Sequence, residues 1–308
     1  MYKSPFLGIE IGGSKLQIVT GTVDGNLLTH HRFQIKKEEG AKGIRLIIEK
    51  VVTENYRQKV AAAGIGFGGP VNWKTGEIAT SFHIEGWADF NLVEWLEPIV
   101  KAPVFTENDA NVAALGEAIL GAGNRYQVVL YITIGSGVGG GLVINKQIYH
   151  GAIPGEVEIG HLQMNRSGET FQDRCSGWAV DEKIRRMIAN EPAGVMAKLV
   201  GDQTSAEAGF LKKALDQNDP SAWKLYEETI DDLAYGLSHA IHLFHPEIVI
   251  LGGGFSLIGE ILKTSVEKKM PDYLMKAFHP GPIIHLAKLR ELSVPIGSLL
   301  LAHQNSNK

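Results

Sequence analysis

Cysteine is nearly missing from this sequence: Cys175 is the only one in 308 residues. A single thiol closes no intrachain disulfide, which excludes the framework of a small secreted domain and favours a reducing, cytosolic setting. Long apolar runs are missing too. No stretch of about 20 apolar residues occurs, and the opening Met1 to Leu16 is too short in apolar residues for a signal peptide, so a soluble protein is expected. Basic blocks are also lacking: no run of Lys and Arg exceeds a pair, and the formal net charge is -4. That leaves no polybasic surface for nucleic acid or anionic lipid, so any phosphate binding must be local. What remains is an ordinary globular composition, 44% apolar and 21% charged, in a chain long enough for two core-forming domains with a cleft between them.

Glycine is the one excess, 36 residues or about 12% against a usual share of about 7%. The glycines cluster at Gly12-Gly13, Gly64 to Gly69, Gly135 to Gly141 and Gly252 to Gly254, each after an apolar, β-branched run, where backbone can approach a ligand closely. Strands are expected at Phe6 to Ile11, Leu16 to Thr22 and Leu27 to Ile35, followed by a helix over Gly43 to Arg57 with Ile44, Ile47, Ile48, Val51 and Val52 at helical spacing. Ala61 to Phe67 reads as a strand, Asn91 to Val100 as a helix and Val104 to Thr106 as a short strand, with a helix starting near Asp109. The pattern then restarts: Gln127 to Ile134 runs into Gly135-Ser136-Gly137 as Phe6 to Ile11 runs into Gly12-Gly13-Ser14, which points to a duplicated fold. The later part is mostly helical, with a capping box at Thr204 to Glu207, a helix start at Asp219-Pro220 and one long apolar face from Tyr226 to Phe244. A strand at Ile248 to Leu251, the Gly252 to Gly254 turn and a helix from Ser256 close the pattern.

Gly135-Ser-Gly-Val-Gly-Gly140 and Gly64-Ile-Gly-Phe-Gly-Gly69 both match the dinucleotide fingerprint. That fingerprint needs a helix behind it to hold the pyrophosphate, yet Leu142 to Asn145 continues as strand, so a nicotinamide site is rejected. A glycine hairpin can still bind phosphate through its backbone N–H groups, or be merely a tight turn. Thr106 to Glu117 places Asn108 and Asp109 where a strand ends and a helix begins. Either is a good N-cap, and Asp109 is equally placed to accept a hydroxyl proton, since a helix N-terminus favours negative charge. Within Glu156-Val-Glu158-Ile-Gly-His161, Glu158 and His161 suit vicinal sugar hydroxyls, a metal, or a mutually satisfied core pair. His239, His242 and His245 fall in the last turn of a long helix, where histidine suits the negative end of the dipole.

Taken in order, these motifs resemble the ROK family of bacterial repressors and sugar kinases within the actin and hexokinase superfamily, over essentially the whole chain. Leu7 to Lys15 is similar to the family's first phosphate loop and Ile134 to Gly141 to its second. Glu107 to Asn111 resembles the sugar-binding and catalytic segment, Glu158 to His161 the second sugar segment, and His245 to Gly254 the adenosine segment. The resemblance implies an α/β fold of two ribonuclease-H-like domains, with mixed five-stranded sheets flanked by helices and the active site in the interdomain cleft. The smaller domain would be 1–110, completed by a C-terminal helix at 296–308, and the larger 111–295. It implies Asp109 as catalytic base, with Gly68, Gly69, Asn108, Asp109, Glu158 and His161 binding sugar. Gly12, Gly13, Ser14, Lys15, Gly135, Ser136 and Gly137 would line the phosphates of ATP, and Gly253 and Gly254 the adenosine. Magnesium would bridge the ATP oxygens, reached through water by Glu10, which stands where the family usually has aspartate.

Other departures matter. A zinc-binding run of three cysteines, matched here by Gly168 to Gly177, keeps only Cys175, and one cysteine with His161 cannot close a tetrahedral site, so no structural zinc is expected. A glutamate that contacts acylamino sugars falls on Gly177. The expectation is a cytoplasmic, ATP-dependent hexose kinase acting at O6 of glucose or a close relative, with sugar and ATP as partners, no nucleic acid or membrane, and a homodimer as a compatible assembly. The alternatives are a kinase for an N-acetylhexosamine or fructose, a weak or inactive sugar-sensing member of the family, and an actin-like ATPase. Regulators of the family place a helix-turn-helix domain ahead of the first loop, which begins here near Leu7.

Overall fold

The computed structural model describes residues 4–79, 81, 84–153, 155 and 157–306. Glu156 and the last two residues of the expected 296–308 helix lie outside them. The described chain divides into two compact units. The first comprises residues 1–127, 141–156 and 288–308, and the second 128–140 and 157–287.

In chain order, β1 (Phe6–Ile11), β2 (Lys15–Gly21) and β3 (Leu27–Gln34) form a meander. Next come α1 (Gly40–Asn55), β4 (Ala63–Phe67), α2 (Leu92–Val100), β5 (Val104–Asn108) and α3 (Asp109–Ile119). The repeat begins with β6 (Val128–Ile134), β7 (Val138–Ile144) and β8 (Gln147–Ile148). Helices α4 (Phe171–Cys175), α5 (Gly177–Asn190), α6 (Val195–Val200), α7 (Leu211–Asp216) and α8 (Pro220–Phe244) follow. The chain closes with β9 (Ile248–Gly252), α9 (Glu260–Lys269), β10 (Ile283–Leu286) and α10 (Ser293–Ser306). The result is the expected α/β fold with two mixed five-stranded sheets, ordered β3-β2-β1-β4-β5 and β10-β9-β6-β7-β8. No helix among the described residues is long and apolar enough to cross a membrane.

In the first sheet β1 pairs antiparallel with β2, and parallel with β4, which is in turn parallel to β5. The register aligns Ile11 with Phe67 and Phe67 with Asn108, so three parallel strands end side by side. One face carries α1 and α2: Ile44, Ile48, Val51 and Val52 pack with Leu92, Leu96 and the strand residues Leu7, Ile9 and Ile65 in one core. Asn91 starts α2 by accepting from the N–H groups of Val93 and Glu94, 3.0 Å each.

The opposite face is closed by α3 and α10, whose Val112, Leu115, Ile296, Leu300 and Leu301 form a second core. The approach is very close. A Cβ on Gly64 of β4 would strike the Ser298 carbonyl, and one on Gly297 the Val112 carbonyl, so both positions require glycine for space. Buried Glu117 fastens the two helices: its carboxylate accepts from the N–H groups of Ala122 (2.9 Å), Lys288 (3.1 Å) and Leu289 (2.7 Å) and from Ser293 Oγ (3.0 Å).

In the second unit β6, β9 and β10 run parallel, and Asp219 caps α8 through Ser221 and Ala222. Two local expectations are corrected. The capping box falls on Thr170 and Asp173 at α4, whereas Glu207 begins a 3-10 turn with Ala206 left-handed before it. Glu207 is buried and paired with Arg185 at 3.0 Å, a tertiary contact that overrides the local cap. The helix expected from Ser256 is a 3-10 turn over Gly254–Ile258, and α9 starts only after Gly259, whose φ of 91° breaks the run.

Candidate active site

The carboxyl ends of β1, β4 and β5 gather the first group of expected site residues within the first unit, where open α/β sheets generally bind ligands. The β1–β2 turn is closed by the Gly12 N–H on the Lys15 carbonyl at 3.0 Å, and Gly13, Ser14 and Lys15 form its tip. Gly68 follows β4 and donates its N–H to the Ile11 carbonyl at 2.8 Å. A Cβ on Gly68 would stand 3.3 Å from Asp109 Oδ2 and 3.5 Å from the Gly12 Cα, so glycine here lets the Asp109 carboxylate and the hairpin share one small space.

The N-cap of α3 is Asn108. Its Oδ1 accepts from Ala110 N (2.9 Å) and Asn111 N (3.3 Å), while its Nδ2 donates to the Gly69 carbonyl at 3.2 Å. Asn108 is thus the N-cap and also ties the Gly68-Gly69 loop to the helix, leaving the half-buried Asp109 as the first helical residue.

Glu10 is buried beneath the hairpin. Its carboxylate pairs with Lys15 Nζ at 3.2 Å and accepts from Gln17, the residue opposite it on β2. Burial raises its pKa above the ordinary value, with Lys15 and Gln17 acting in the opposite direction. Gln17 bonds onward to His30 and to the Glu291 carbonyl, so the longer side chain at position 10 is met by a network of matching reach.

The second unit gathers the rest. The Gly135-Ser136-Gly137 turn is closed by Gly135 N on the Gly137 carbonyl at 2.9 Å, and β7 continues from it as a strand. Gly253, at φ 79°, sits against the backbone of Ile134, where a Cβ would clash, and Gly254 opens the following turn. Gly177, the first residue of α5, donates its N–H to the Gly135 carbonyl at 2.7 Å, and a Cβ there would lie 2.8 Å from that oxygen. The position has no room for a glutamate. Gly160 packs on the Val138 backbone, which brings the Ile159–His161 turn beside the same hairpin. Glu158 and His161 are both exposed, which rules out a core pair. Val157 just before them has φ 51°, a left-handed conformation that strains a β-branched residue.

Around Gly168 to Gly177 the chain is held by protein groups. Thr170 and Asp173 cap α4, and Arg174 pairs with Asp232 of α8 (2.8 Å) and with Glu169 (2.6 Å). Cys175 is buried against α8, and burial pushes its thiol far up. Among the described residues no group of three or more His, Cys, Asp or Glu is placed to hold a metal.

Sequence reasoning missed one group. Buried Glu107 accepts from Asn108 N (2.8 Å) and Asn111 Nδ2 (3.1 Å) through Oε1, and its Oε2 receives His150 Nε2 at 2.6 Å. The His150 ring stacks on Trp73, centroids 4.0 Å apart. Glu107, His150 and Trp73 line a cavity of about 350 Å³ together with Thr106, Gln147 and Gln304. Only the surplus of polar residues in Glu107-Asn108-Asp109 ahead of a helix that needs one cap hinted at it, because His150 and Trp73 are distant in sequence.

The chain belongs to the ROK family, whose sequence profile matches residues 6–305. Glucokinase of Thermotoga maritima is 30% identical over 287 residues, covering 90% of this chain and 90% of that one. A ROK family glucokinase from Streptomyces griseus, solved in complex with glucose and AMPPNP, is 28% identical with a TM-score of 0.85, covering 97% of this chain and 99% of that one. A ROK family transcriptional regulator homologous to the E. coli MLC protein shares the fold, with 20% identity, a TM-score of 0.85, and coverage of 98% of this chain and 78% of that one.

Proposed function

We propose that this chain is an ATP-dependent sugar kinase that phosphorylates a hexose hydroxyl, O6 of glucose or a close relative, with Asp109 as the general base. The observation that carries it is the start of α3, where Asn108 takes the cap and Asp109 Oδ2 stands at Gly68 beside the Gly12 hairpin. The Asp109 carboxylate takes the hydroxyl proton as the sugar oxygen bonds to the γ-phosphorus. The bond from that phosphorus to the bridging oxygen breaks, and ADP leaves with the electron pair. Such transfer depends mostly on positioning and charge neutralisation. Gly12 spends its N–H on the turn, so phosphate contact falls to Gly13, Ser14 and Lys15, with Gly135 to Gly137 as the second loop and Gly253-Gly254 toward adenosine. Glu158 and His161, exposed beside that loop, bind sugar hydroxyls, with Asn108 and the Gly68-Gly69 backbone.

Magnesium supplies charge neutralisation on the phosphate oxygens when bound with ATP. Glu10 offers it a hard oxygen donor next to the hairpin, and since Lys15 and Gln17 engage its carboxylate, water is the fitting intermediary. With Gly177 closed to a side chain, an unmodified hexose is favoured over an acylamino sugar.

The test is ADP release across hexoses and N-acetylhexosamines, with Asp109→Asn alongside. Glucose-dependent ADP from the wild type and a loss on the order of 10²–10⁴-fold in the variant are expected. No sugar-dependent ADP, or undiminished turnover in the variant, overturns the proposal. A sensor that binds sugar without turnover is the second reading, favoured by the Lys15–Glu10 pair at the phosphate hairpin. Calorimetry showing tight sugar binding and no ATP binding selects it.

A further inference from the structure

Five groups in the first unit close a ring around the Gly68-Gly69 loop. Asn108 Nδ2 holds the Gly69 carbonyl, and Glu107 holds the Asn108 N–H. His150 Nε2 holds Glu107, and the His150 ring lies on Trp73 at an interplanar angle of 18°. Trp73 belongs to the segment that continues from Gly69, which completes the circuit. The loop is therefore gripped at both ends, at Gly69 by Asn108 and at Trp73 by His150. Both grips meet at Glu107, one residue ahead of the cap.

Glu107 is 2% exposed, and its two oxygens take three donors: a backbone N–H, an amide and an imidazole. A buried carboxylate stays in place only when its lone pairs are satisfied, so its orientation depends on all of them. Asn111 and Asn108 come from the helix and strand that the carboxylate serves. His150 is the contributor from elsewhere, arriving on the segment after β8, and it holds Glu107 with the edge and Trp73 with the face of one ring. Removing it frees Oε2 to swing, loosens the hold on the Asn108 N–H, and releases the far end of the loop at the same time.

We infer that His150 is a positioning residue for phosphoryl transfer, setting the Asn108-Asp109 pair through Glu107 and the Gly68-Gly69 loop through Trp73. This rests on the kinase reading above. Because both of its targets are groups that the kinase reading assigns to the sugar, its loss falls on sugar affinity and turnover, while ATP affinity, assigned to the two glycine hairpins, is spared. A group that merely stabilised the fold would affect the two substrates alike.

The experiment compares wild type, His150→Ala, His150→Gln and Asp109→Asn by steady-state kinetics in both substrates, with glucose binding measured separately by calorimetry and melting temperatures recorded. His150→Ala is expected to lower kcat/KM for the sugar 10- to 100-fold with KM for ATP within twofold. His150→Gln, which returns an N–H donor to Glu107 without the stacked ring, should recover at least a third of the lost turnover. Sugar parameters within twofold of wild type in a folded His150→Ala protein overturn the inference. So does an equal rise in both KM values that His150→Gln leaves unchanged. Undiminished turnover in Asp109→Asn sinks the base assignment instead. The calorimetric glucose affinity of His150→Ala then still decides whether His150 positions the loop, a tenfold weakening supporting it and an unchanged value refuting it.

Discussion

Truncating Glu117 to alanine should be among the most destabilising single changes in the first unit. Its side chain is fully buried on α3 and accepts from three backbone N–H groups and a serine hydroxyl. The hydroxyl has a second outlet, since Ser293 Oγ also lies 2.8 Å from the Arg290 carbonyl, so three backbone donors are left without an acceptor. Orphaning a buried donor costs about 1–3 kcal/mol, and neighbouring losses do not add fully, which gives about 3–5 kcal/mol for Glu117→Ala. Against a total stability of about 5–15 kcal/mol that is a severe loss. Glu117→Gln retains one oxygen and turns an NH₂ toward two former donors, so it should fall in between, at about 2–3 kcal/mol. Urea unfolding gives the magnitude, and hydrogen exchange locates it, with the amides of Ala122, Lys288 and Leu289 losing protection first. A loss under about 1 kcal/mol in the alanine variant, or unchanged exchange at those amides, would refute the view that this carboxylate joins α3 to α10.

Two further outcomes are expected. Val157→Gly should relieve a left-handed φ at a β-branched residue, worth about 1 kcal/mol and seen as a higher melting temperature, while the loosened Glu158 raises KM for sugar several-fold; a lower melting temperature with unchanged KM counts against it. Burial raises the Glu10 pKa in the folded protein above its ordinary value of 4.5. The folded state therefore holds that proton more firmly, and the associated stability is present below pH 4.5 and lost as pH rises through the folded pKa. The stability difference between wild type and Glu10→Gln, from urea midpoints at successive pH values, should shift against wild type across that window; no shift, or the reverse, rejects it.

Much of the fold was legible because period and punctuation agree with tertiary placement. The glycine turns at Gly12 and Gly135 sit where apolar strands break, and Ile44, Ile48 and Val51 point inward on α1 as their spacing demands. Asp109 was legible as a candidate, yet which of Asn108 and Asp109 caps α3 was not, because both residues cap helices well and only the Asn108 Oδ1 contacts with the Ala110 and Asn111 N–H groups separate them. Where local chemistry competes with a distant partner, sequence misleads: Glu207 has the spacing of a capping box but is drawn to Arg185. His150 and Trp73 escaped for the same reason, since stacking across the chain leaves no local pattern.

The seating of α10 bears on how the protein is made. The first unit holds β1 to β5, synthesised early, but the helix that covers their second face is encoded at residues 293–306, after the whole second unit. At about 5–20 residues per second, the ribosome needs roughly ten to thirty seconds to cross the intervening segment. Throughout that interval the glycine-bearing face of β1 and β4 has only α3 against it, without α10, and Glu117 lacks its donors at Lys288 and Leu289. The first half of the chain to emerge is thus the last to finish folding, and a nascent chain stalled before residue 288 should present that sheet to chaperones.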